Sequence, residues 1–184
     1  FMGKFHFSLG LMSGTSADGV DASVIQSDGD YEYKVILDKY FKYNQDIYEN
    51  IHNLKDKINN TKDLRRVSRE LKDLEKKITL FNVKLVKKII NNCKENIDLI
   101  GFHGQTIFHS PKDKISKQLG DAKLLSKITK KIVINNFRQN DLKYGGQGAP
   151  LAPIFHKMLA RRFKITPVTF LNIGGIANIT NVYK

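Results

Sequence analysis

Near its start the chain reads Leu9-Gly10-Leu11-Met12-Ser13-Gly14-Thr15-Ser16-Ala17-Asp18-Gly19-Val20-Asp21-Ala22. This run predicts a strand over residues 5–12, a polar glycine-rich turn over residues 13–19 and a second strand over residues 20–26. Apolar and polar side chains alternate over residues 31–43, which is typical of a half-buried third strand. The chain therefore opens with three strands joined by tight turns.

Beyond residue 43, helical and strand patterns alternate. We predict helices over residues 46–58, 61–92, 122–129 and 153–163. We predict strands over residues 97–102, 131–135 and 167–172, and a loop over residues 145–150. This order indicates an α/β fold with a mixed sheet. The pattern of strand, glycine turn and strand also occurs twice, at residues 5–26 and 168–182.

Composition excludes several classes of protein. The 184 residues are 41% hydrophobic, enough for a core, and no apolar run reaches the length of a membrane helix. One cysteine excludes a disulfide framework, and the absence of a signal-type segment predicts a cytoplasmic protein without membrane partners. The net charge of +13 leaves a basic nucleic-acid binder as an alternative. However, the lysines of residues 55–94 alternate with acids on a helical pattern, which favours a solvated surface and no nucleic acid.

Glycines, hydroxyls and carboxylates are concentrated in the turn that ends the first strand. Glycines let backbone N–H groups approach phosphate oxygens, and an Asp such as Asp18 can hold Mg²⁺ or a magnesium-bound water. The run is neither a Walker A loop nor a dinucleotide fingerprint. An ordinary hairpin turn is the alternative.

Three further segments carry polar groups suited to a ligand. His103-Gly104-Gln105-Thr106 follows a predicted buried strand, where His and Gln could bind a polyhydroxylated substrate. Cations, amides and glycines between Arg138 and Pro150 precede a predicted helix and suit an anionic or sugar ligand. Asn172-Ile173-Gly174-Gly175-Ile176-Ala177-Asn178 is a second glycine-rich hairpin turn. A structural histidine, a flexible loop and a tight β-turn are the respective alternatives.

Together, these motifs resemble the anhydro-N-acetylmuramic acid kinase family in their order and approximate spacing. The resemblance rests on Gly10–Asp21 and His103–Thr106, and on Gln118-Leu119-Gly120-Asp121, Phe137-Arg138, Gly145-Gly146-Gln147-Gly148-Ala149-Pro150-Leu151 and Leu171–Asn178. It implies an actin-like ATPase (ribonuclease H-like) fold with a mixed sheet and flanking helices. Under it, residues 1–165 form the first domain, and residues 166–184 form the opening hairpin of a second domain that is truncated here.

The resemblance also implies a reaction. ATP, Mg²⁺ and water would convert 1,6-anhydro-N-acetylmuramic acid to N-acetylmuramic acid 6-phosphate in cell-wall recycling, by a cytoplasmic protein that is a homodimer at full length. An inactive sugar- or nucleotide-binding fragment of the same fold is the alternative for the chain itself.

Family roles transfer to matching positions of this sequence. The resemblance assigns ATP phosphates to one run, namely Gly14, Thr15, Ser16, Ala17, Asp18, Gly19, Val20 and Asp21, with Asp18 also on a magnesium-bound water. It assigns the sugar to His103, Gln105, Arg138, Gly146 and Gln147. It assigns a second phosphate turn to Asn172, Gly174, Gly175 and Asn178.

Two departures from the family pattern bear on these roles. Asn136 and Asn140 stand where the family carries charged residues around its Phe-Arg pair, which affects substrate affinity and identity. The family's water-activating Asp follows the second hairpin, so the resemblance places the catalytic base beyond Lys184 and no catalytic residue within this chain. We therefore expect residues 1–184 alone to show no kinase turnover.

Overall fold

The computed structural model describes residues 4–173 and 177–183. Its strands are β1 (His6–Ser13), β2 (Gly19–Ser27), β3 (Tyr33–Lys42), β4 (Leu99–Ser110), β5 (Ile115–Leu119), β6 (Ile132–Asn135), β7 (Val168–Asn172) and β8 (Asn178–Val182). Its helices are α1 (Gln45–Lys57), α2 (Thr61–Arg66), α3 (Ser68–Asn92), α4 (Ala122–Thr129), α5 (Gln139–Lys143) and α6 (Ala152–Phe163). The predicted α/β class is confirmed.

Six strands form one mixed sheet in the order β3-β2-β1-β4-β5, and β6 also pairs with β4. β1, β2 and β3 are antiparallel neighbours, whereas β4 runs parallel to β1 and to β6. The mixed sheet with flanking helices agrees with the actin-like ATPase fold that the resemblance implies. β7 and β8 form a separate antiparallel pair.

The prediction that the strand over residues 97–102 ends at Phe102 is wrong. β4 continues through His103, Gly104 and Gln105 to Ser110. Its first half pairs with β6, and its second half pairs with β5, a strand that the sequence analysis did not predict. Because β5 satisfies the backbone groups of the second half, this part of the chain remains extended. His103 and Gln105 consequently lie inside the sheet, at the level where β1 and β6 end.

The core lies between the sheet and the helices. Leu9 on β1, Val24 on β2 and Ile100 on β4 are fully buried, as are Ile51 on α1 and Ile78 on α3. Helix α1 begins after Asn44, whose side chain accepts a hydrogen bond from the Ile47 N–H. This N-cap starts the helix immediately after β3, so α1 packs close to the β1–β2 turn.

The single helix predicted over residues 61–92 is two helices, which meet at Val67. Val67 leaves the helical conformation with φ −99° and ψ 22°, while its side chain is buried. The sequence pattern does not indicate the break, because Val67 keeps the apolar spacing intact.

Helix α6 packs against the β7–β8 pair. His156 stacks on Phe170 with ring centroids 4.6 Å apart, and its Nδ1 lies 2.9 Å from the Thr180 hydroxyl. Among residues 4–173 and 177–183, no helix has the length and apolar character that crossing a membrane requires.

Candidate functional site

The turn that joins β1 to β2 is fixed through its carbonyl oxygens. Gln105 Nε2 on β4 donates to the Gly14 carbonyl at 3.0 Å, Lys55 Nζ on α1 donates to the Thr15 carbonyl at 2.6 Å, and the Tyr43 N–H donates to the Asp18 carbonyl at 2.8 Å. These donors come from three different parts of the chain. The turn is therefore held in one shape by its surroundings.

Two amides of the same turn remain available. Within the described ranges, the N–H groups of Thr15 and Ser16 donate no hydrogen bond to another protein group. Thr15 and Ser16 are also exposed residues. Neighbouring unpaired N–H groups in a glycine-containing turn form an anion-binding concavity. The turn therefore presents two neighbouring unpaired amides at the carboxyl end of β1.

Asp18 supplies the exposed carboxylate of this turn. The Ser16 hydroxyl donates to Asp18 Oδ1, and this bond, together with one from the residue's own backbone, holds the pKa of the carboxyl below its usual value. Asp18 is therefore ionised at neutral pH. No three His, Cys, Asp or Glu side chains form a metal-binding group in the part of the chain that the structure describes. Mg²⁺ commonly uses one or two carboxylates together with waters and substrate phosphates, and Asp18 fits that requirement.

Gly19 and Asp21 follow the turn and lie on the first residues of β2. A Cβ on Gly19 would come within 2.5 Å of the Phe41 carbonyl oxygen, so this position requires glycine for the close approach of β3. Burial, and then the charges of Asp38 and Asp18, raise the pKa of the Asp21 carboxyl. Ala17 and Val20 are buried, and their side chains belong to the core.

Ser13 connects the turn to the interior. Its hydroxyl oxygen lies 2.6 Å from Gln105 Oε1 and 2.7 Å from the Gly19 carbonyl oxygen. The Tyr43 hydroxyl donates to Ser13 Oγ at 3.2 Å, and burial raises the pKa of Tyr43 to about 12. Gln105 is fully buried in this network. Its direct contact with a sugar stays a prediction, whereas its observed contacts fix the turn.

His103 and Arg138 are brought together from β4 and the segment after β6. Arg138 Nε donates to His103 Nε2 at 2.9 Å, and Arg138 Nη1 donates to the Gly148 carbonyl at 2.7 Å. Burial, followed by the nearby Arg138 charge, lowers the pKa of His103. Burial also lowers the pKa of Arg138, but a guanidinium keeps its charge at neutral pH. The pair places a fixed cation at the carboxyl end of β6.

The segment between α5 and α6 is a compact loop. The Gly148 N–H donates to Asp141 Oδ2 at 2.7 Å, and the Gly146 N–H donates to the Asp141 backbone carbonyl at 2.9 Å. A Cβ on Gly146 would collide with the Asp141 carboxylate, so a larger residue there would displace that side chain. Gln147 is exposed at the tip. Asp141 and Arg138 thus hold both backbone groups of Gly148.

A polar pocket of about 260 Å³ lies where β5 and β6 diverge from β4. Its lining includes Glu75, His103, Gln118, Asn135 and Asn136. Asn136 has φ 62°, a left-handed conformation that Asn tolerates better than most residues. The amide, carboxylate and imidazole groups around the pocket can donate hydrogen bonds to, or accept them from, the hydroxyl groups of a ligand.

The remaining predicted site residues are partly described. Asn172 and Asn178 close the β7–β8 pair as cross-strand partners. Gly174 and Gly175, the centre of the predicted second phosphate turn, lie outside the described residues. Lys55, Tyr43 and Asp141 were not predicted from the sequence, because each acts on a turn that is distant in sequence or through a backbone contact. No motif marks such residues.

Comparison with known proteins identifies close relatives. A family model described as anhydro-N-acetylmuramic acid kinase matches residues 6–184. The protein of that name from Pelagibacter ubique (strain HTCC1062) is 60% identical over 182 residues, covering 98% of this chain and 48% of the relative. Those from Agrobacterium fabrum and Gluconobacter oxydans are 36% and 38% identical, covering 98% and 95% of this chain and 50% and 47% of the relatives. The chain spans about half the length of the curated relatives it matches.

Proposed function

We propose that this chain, which belongs to the anhydro-N-acetylmuramic acid kinase family, forms the phosphate-binding turn and part of the sugar site of an ATP-dependent sugar kinase. The whole protein would use ATP and water to convert 1,6-anhydro-N-acetylmuramic acid to N-acetylmuramic acid 6-phosphate. We further propose that the whole protein is a cytoplasmic homodimer. We also propose a domain boundary near residue 165, which the separate pairing of β7 and β8 supports.

The observation that carries the proposal is that, in the described ranges, the backbone N–H groups of Thr15 and Ser16 donate no hydrogen bond. Among the residues that the structure describes, the carbonyls of Gly14 and Thr15 are held by the protein, while the amides that follow them, on the exposed residues Thr15 and Ser16, donate no hydrogen bond. Preorganised donors of this kind stabilise a polyphosphate without reorganisation during the reaction. We assign these amides to the phosphates of ATP.

Asp18 is the residue that would hold Mg²⁺, directly or through a bound water. Its carboxylate is exposed, ionised and adjacent to the free amides. When bound, Mg²⁺ neutralises charge on a transferring phosphoryl group. Asp21, whose pKa is raised, lies three residues after Asp18 on β2, and we assign it a smaller contribution to holding the metal.

We assign the sugar to the region around His103 and Arg138. Arg138 can pair with the lactyl carboxylate, because Arg forms planar, bidentate bonds with carboxylates. Gly146 and Gln147 lie on the loop that Arg138 holds through Gly148. Gln105 is assigned a positioning role, which its burial and its contact with Gly14 support.

The second hairpin is proposed to contact ATP from the other side. Asn172 and Asn178 flank its turn, and Gly174 and Gly175 would provide amides at its centre. The likeness of this segment to the β1–β2 turn supports that role.

The reaction balances with one water and one ATP. Water adds to the anomeric carbon, the bond from that carbon to O6 breaks, and O6 takes the γ-phosphoryl group as ADP leaves. One proton is released. Phosphorylation consumes negative charge as it develops on O6, so the two bond changes assist each other.

A turnover assay tests the proposal. The gene product containing residues 1–184 is incubated with ATP, Mg²⁺ and 1,6-anhydro-N-acetylmuramic acid, and mass spectrometry follows the 6-phosphate and ADP. We expect both products in equal amounts, and none without the anhydro sugar. A folded protein that forms no 6-phosphate, or that phosphorylates only sugars without the anhydro bridge, would contradict the proposal.

A further inference from the structure

Lys55 carries a charge that the described structure does not neutralise. It lies near the end of α1, and its Nζ donates at 2.6 Å to the carbonyl of Thr15, 40 residues earlier in the chain. Among residues 4–173 and 177–183 it forms no ion pair with a carboxylate. The neighbouring Lys57, by contrast, pairs with Glu70 at 3.4 Å.

A partly buried charge without a counterion lowers the stability of the folded protein. Burial lowers the pKa of Lys55, and no acidic neighbour opposes that effect. A partly buried cation without a counterion loses hydration that a single carbonyl does not restore. An anionic ligand beside the turn would supply the missing opposite charge.

Peptide geometry connects Lys55 to the free amides. In a trans peptide unit the carbonyl of one residue and the N–H of the next point in opposite directions. Lys55 holds the Thr15 carbonyl toward α1, so the Ser16 N–H points away from α1. Gln105 acts in the same way on the preceding unit, holding the Gly14 carbonyl and turning the Thr15 N–H outward.

We propose that Lys55 is a positioning residue for the nucleotide: it orients the Thr15–Ser16 peptide so that the Ser16 N–H faces the phosphates, and it adds positive charge behind them. This inference rests on the proposed function of the turn. It assigns Lys55 to the binding of phosphate and not to the reacting atoms.

Kinetics of Lys55 variants test this role in the whole gene product. Lys55→Met removes the donor and the charge, Lys55→Gln keeps a neutral donor, and Lys55→Arg keeps both. We expect Lys55→Met to raise the KM for ATP about 10-fold, as loss of one charge-assisted hydrogen bond would, with kcat changed much less. Lys55→Arg should restore most of the affinity, and Lys55→Gln should be intermediate.

Lys57→Met is the matched control, because Lys57 is on the same helix and pairs with Glu70 away from the turn. It should leave the KM for ATP unchanged. Thermal unfolding of every variant identifies loss of fold, and Lys55→Gln and Lys55→Arg keep the test valid if Lys55→Met does not fold. A Lys55→Gln or Lys55→Met protein that is folded and keeps the KM for ATP within about twofold would overturn the inference.

Asp18→Ala separates this inference from the function on which it rests. If Asp18→Ala impairs turnover with ATP while the Lys55 variants do not, the turn binds phosphate and only the role of Lys55 is wrong. If both residues can be replaced without effect on ATP, the assignment of the turn itself fails.

Discussion

Arg138 Nε donates a 2.9 Å hydrogen bond to His103 Nε2, joining the segment after β6 to the middle of β4. The acceptor role of Nε2 requires the ring proton on Nδ1, which lies 2.7 Å from the Gly104 carbonyl oxygen. Both ring nitrogens are thus engaged by the protein, and the imidazole is neutral. His103 can orient Arg138 and line the pocket, but it has no free proton-accepting nitrogen in this state.

Because His103 is buried and neutral, the stability of the folded protein should depend on pH. The folded pKa of His103 lies below the unfolded value of about 6.5, so the unfolded chain takes up the proton first as the pH falls. The contribution of His103 is fully present above that value and is lost as the pH decreases below it. We expect the urea midpoint to fall between pH 7 and pH 5, and to fall less in His103→Gln, whose amide oxygen can still accept from Arg138.

His109 provides the comparison for this measurement. Burial also lowers its pKa, so part of the acid sensitivity belongs to it and should persist in His103→Gln. An identical pH dependence in the wild-type and His103→Gln proteins would show that folding does not change how easily His103 takes up a proton.

Asp18 is expected to be needed for catalysis and not for folding. Asp18→Ala removes an exposed carboxylate, so the unfolding midpoint should change little. Phosphoryl transfer should decrease about 10²-fold or more, because Mg²⁺ loses its anionic ligand. Steady-state rates across a magnesium titration measure this. Asp56→Ala, an exposed carboxylate on α1, is the control, and near-normal turnover of Asp18→Ala with ordinary magnesium dependence would reduce Asp18 to a turn residue.

The opening of the fold could be predicted from the sequence because its signals are local. The β1–β2 turn is marked by glycines between apolar strands, and the third strand by alternation. β5 and the continuation of β4 past Phe102 could not be predicted in this way. Strand pairing between residues 105–110 and 115–119 stabilises both, and pairing partners are not visible in a local pattern.

The residues of the candidate site also divide into those with a local sequence signal and those without one. Asp18 could be proposed from the sequence because it stands beside Gly19 in a glycine-rich turn, and Arg138 because it begins a run of cations, amides and glycines that ends at Pro150. Lys55 is one of many lysines on helices, and only the folded chain brings its Nζ to the Thr15 carbonyl. Gln105 was found for its polarity, whereas its burial against Gly14 is a property of the sheet.

Gln105→Leu should affect both stability and nucleotide affinity. Leucine cannot donate to the Gly14 carbonyl or interact with Ser13, so buried polar groups lose partners, at a cost of about 1–3 kcal/mol in the free energy of unfolding. The freed turn should also raise the KM for ATP. Urea unfolding and steady-state kinetics measure the two effects. Gln45→Leu, at an exposed position of α1, is the control. Lower stability with an unchanged KM for ATP would contradict the positioning role.

Gly146→Ala should weaken binding of the sugar more than binding of the nucleotide. The added methyl group would displace the Asp141 carboxylate and weaken its bond to the Gly148 N–H, destabilising the protein by about 1–3 kcal/mol. We expect the KM for the anhydro sugar to rise with little change in the KM for ATP. Gly10→Ala is the control, since its Cβ would meet its nearest neighbour at an ordinary 3.8 Å. Equal effects on both substrates would place the loop outside the sugar site.

We expect the β1–β2 turn to bind phosphate through its unpaired amides. A crystal structure of the whole gene product with a non-hydrolysable ATP analogue and Mg²⁺ measures this directly. We predict phosphate oxygens at about 2.7–3.2 Å from the backbone nitrogens of Thr15 and Ser16, with the Thr15 carbonyl still bound by Lys55 Nζ. Phosphates bound elsewhere, with both amides facing solvent, would contradict the account.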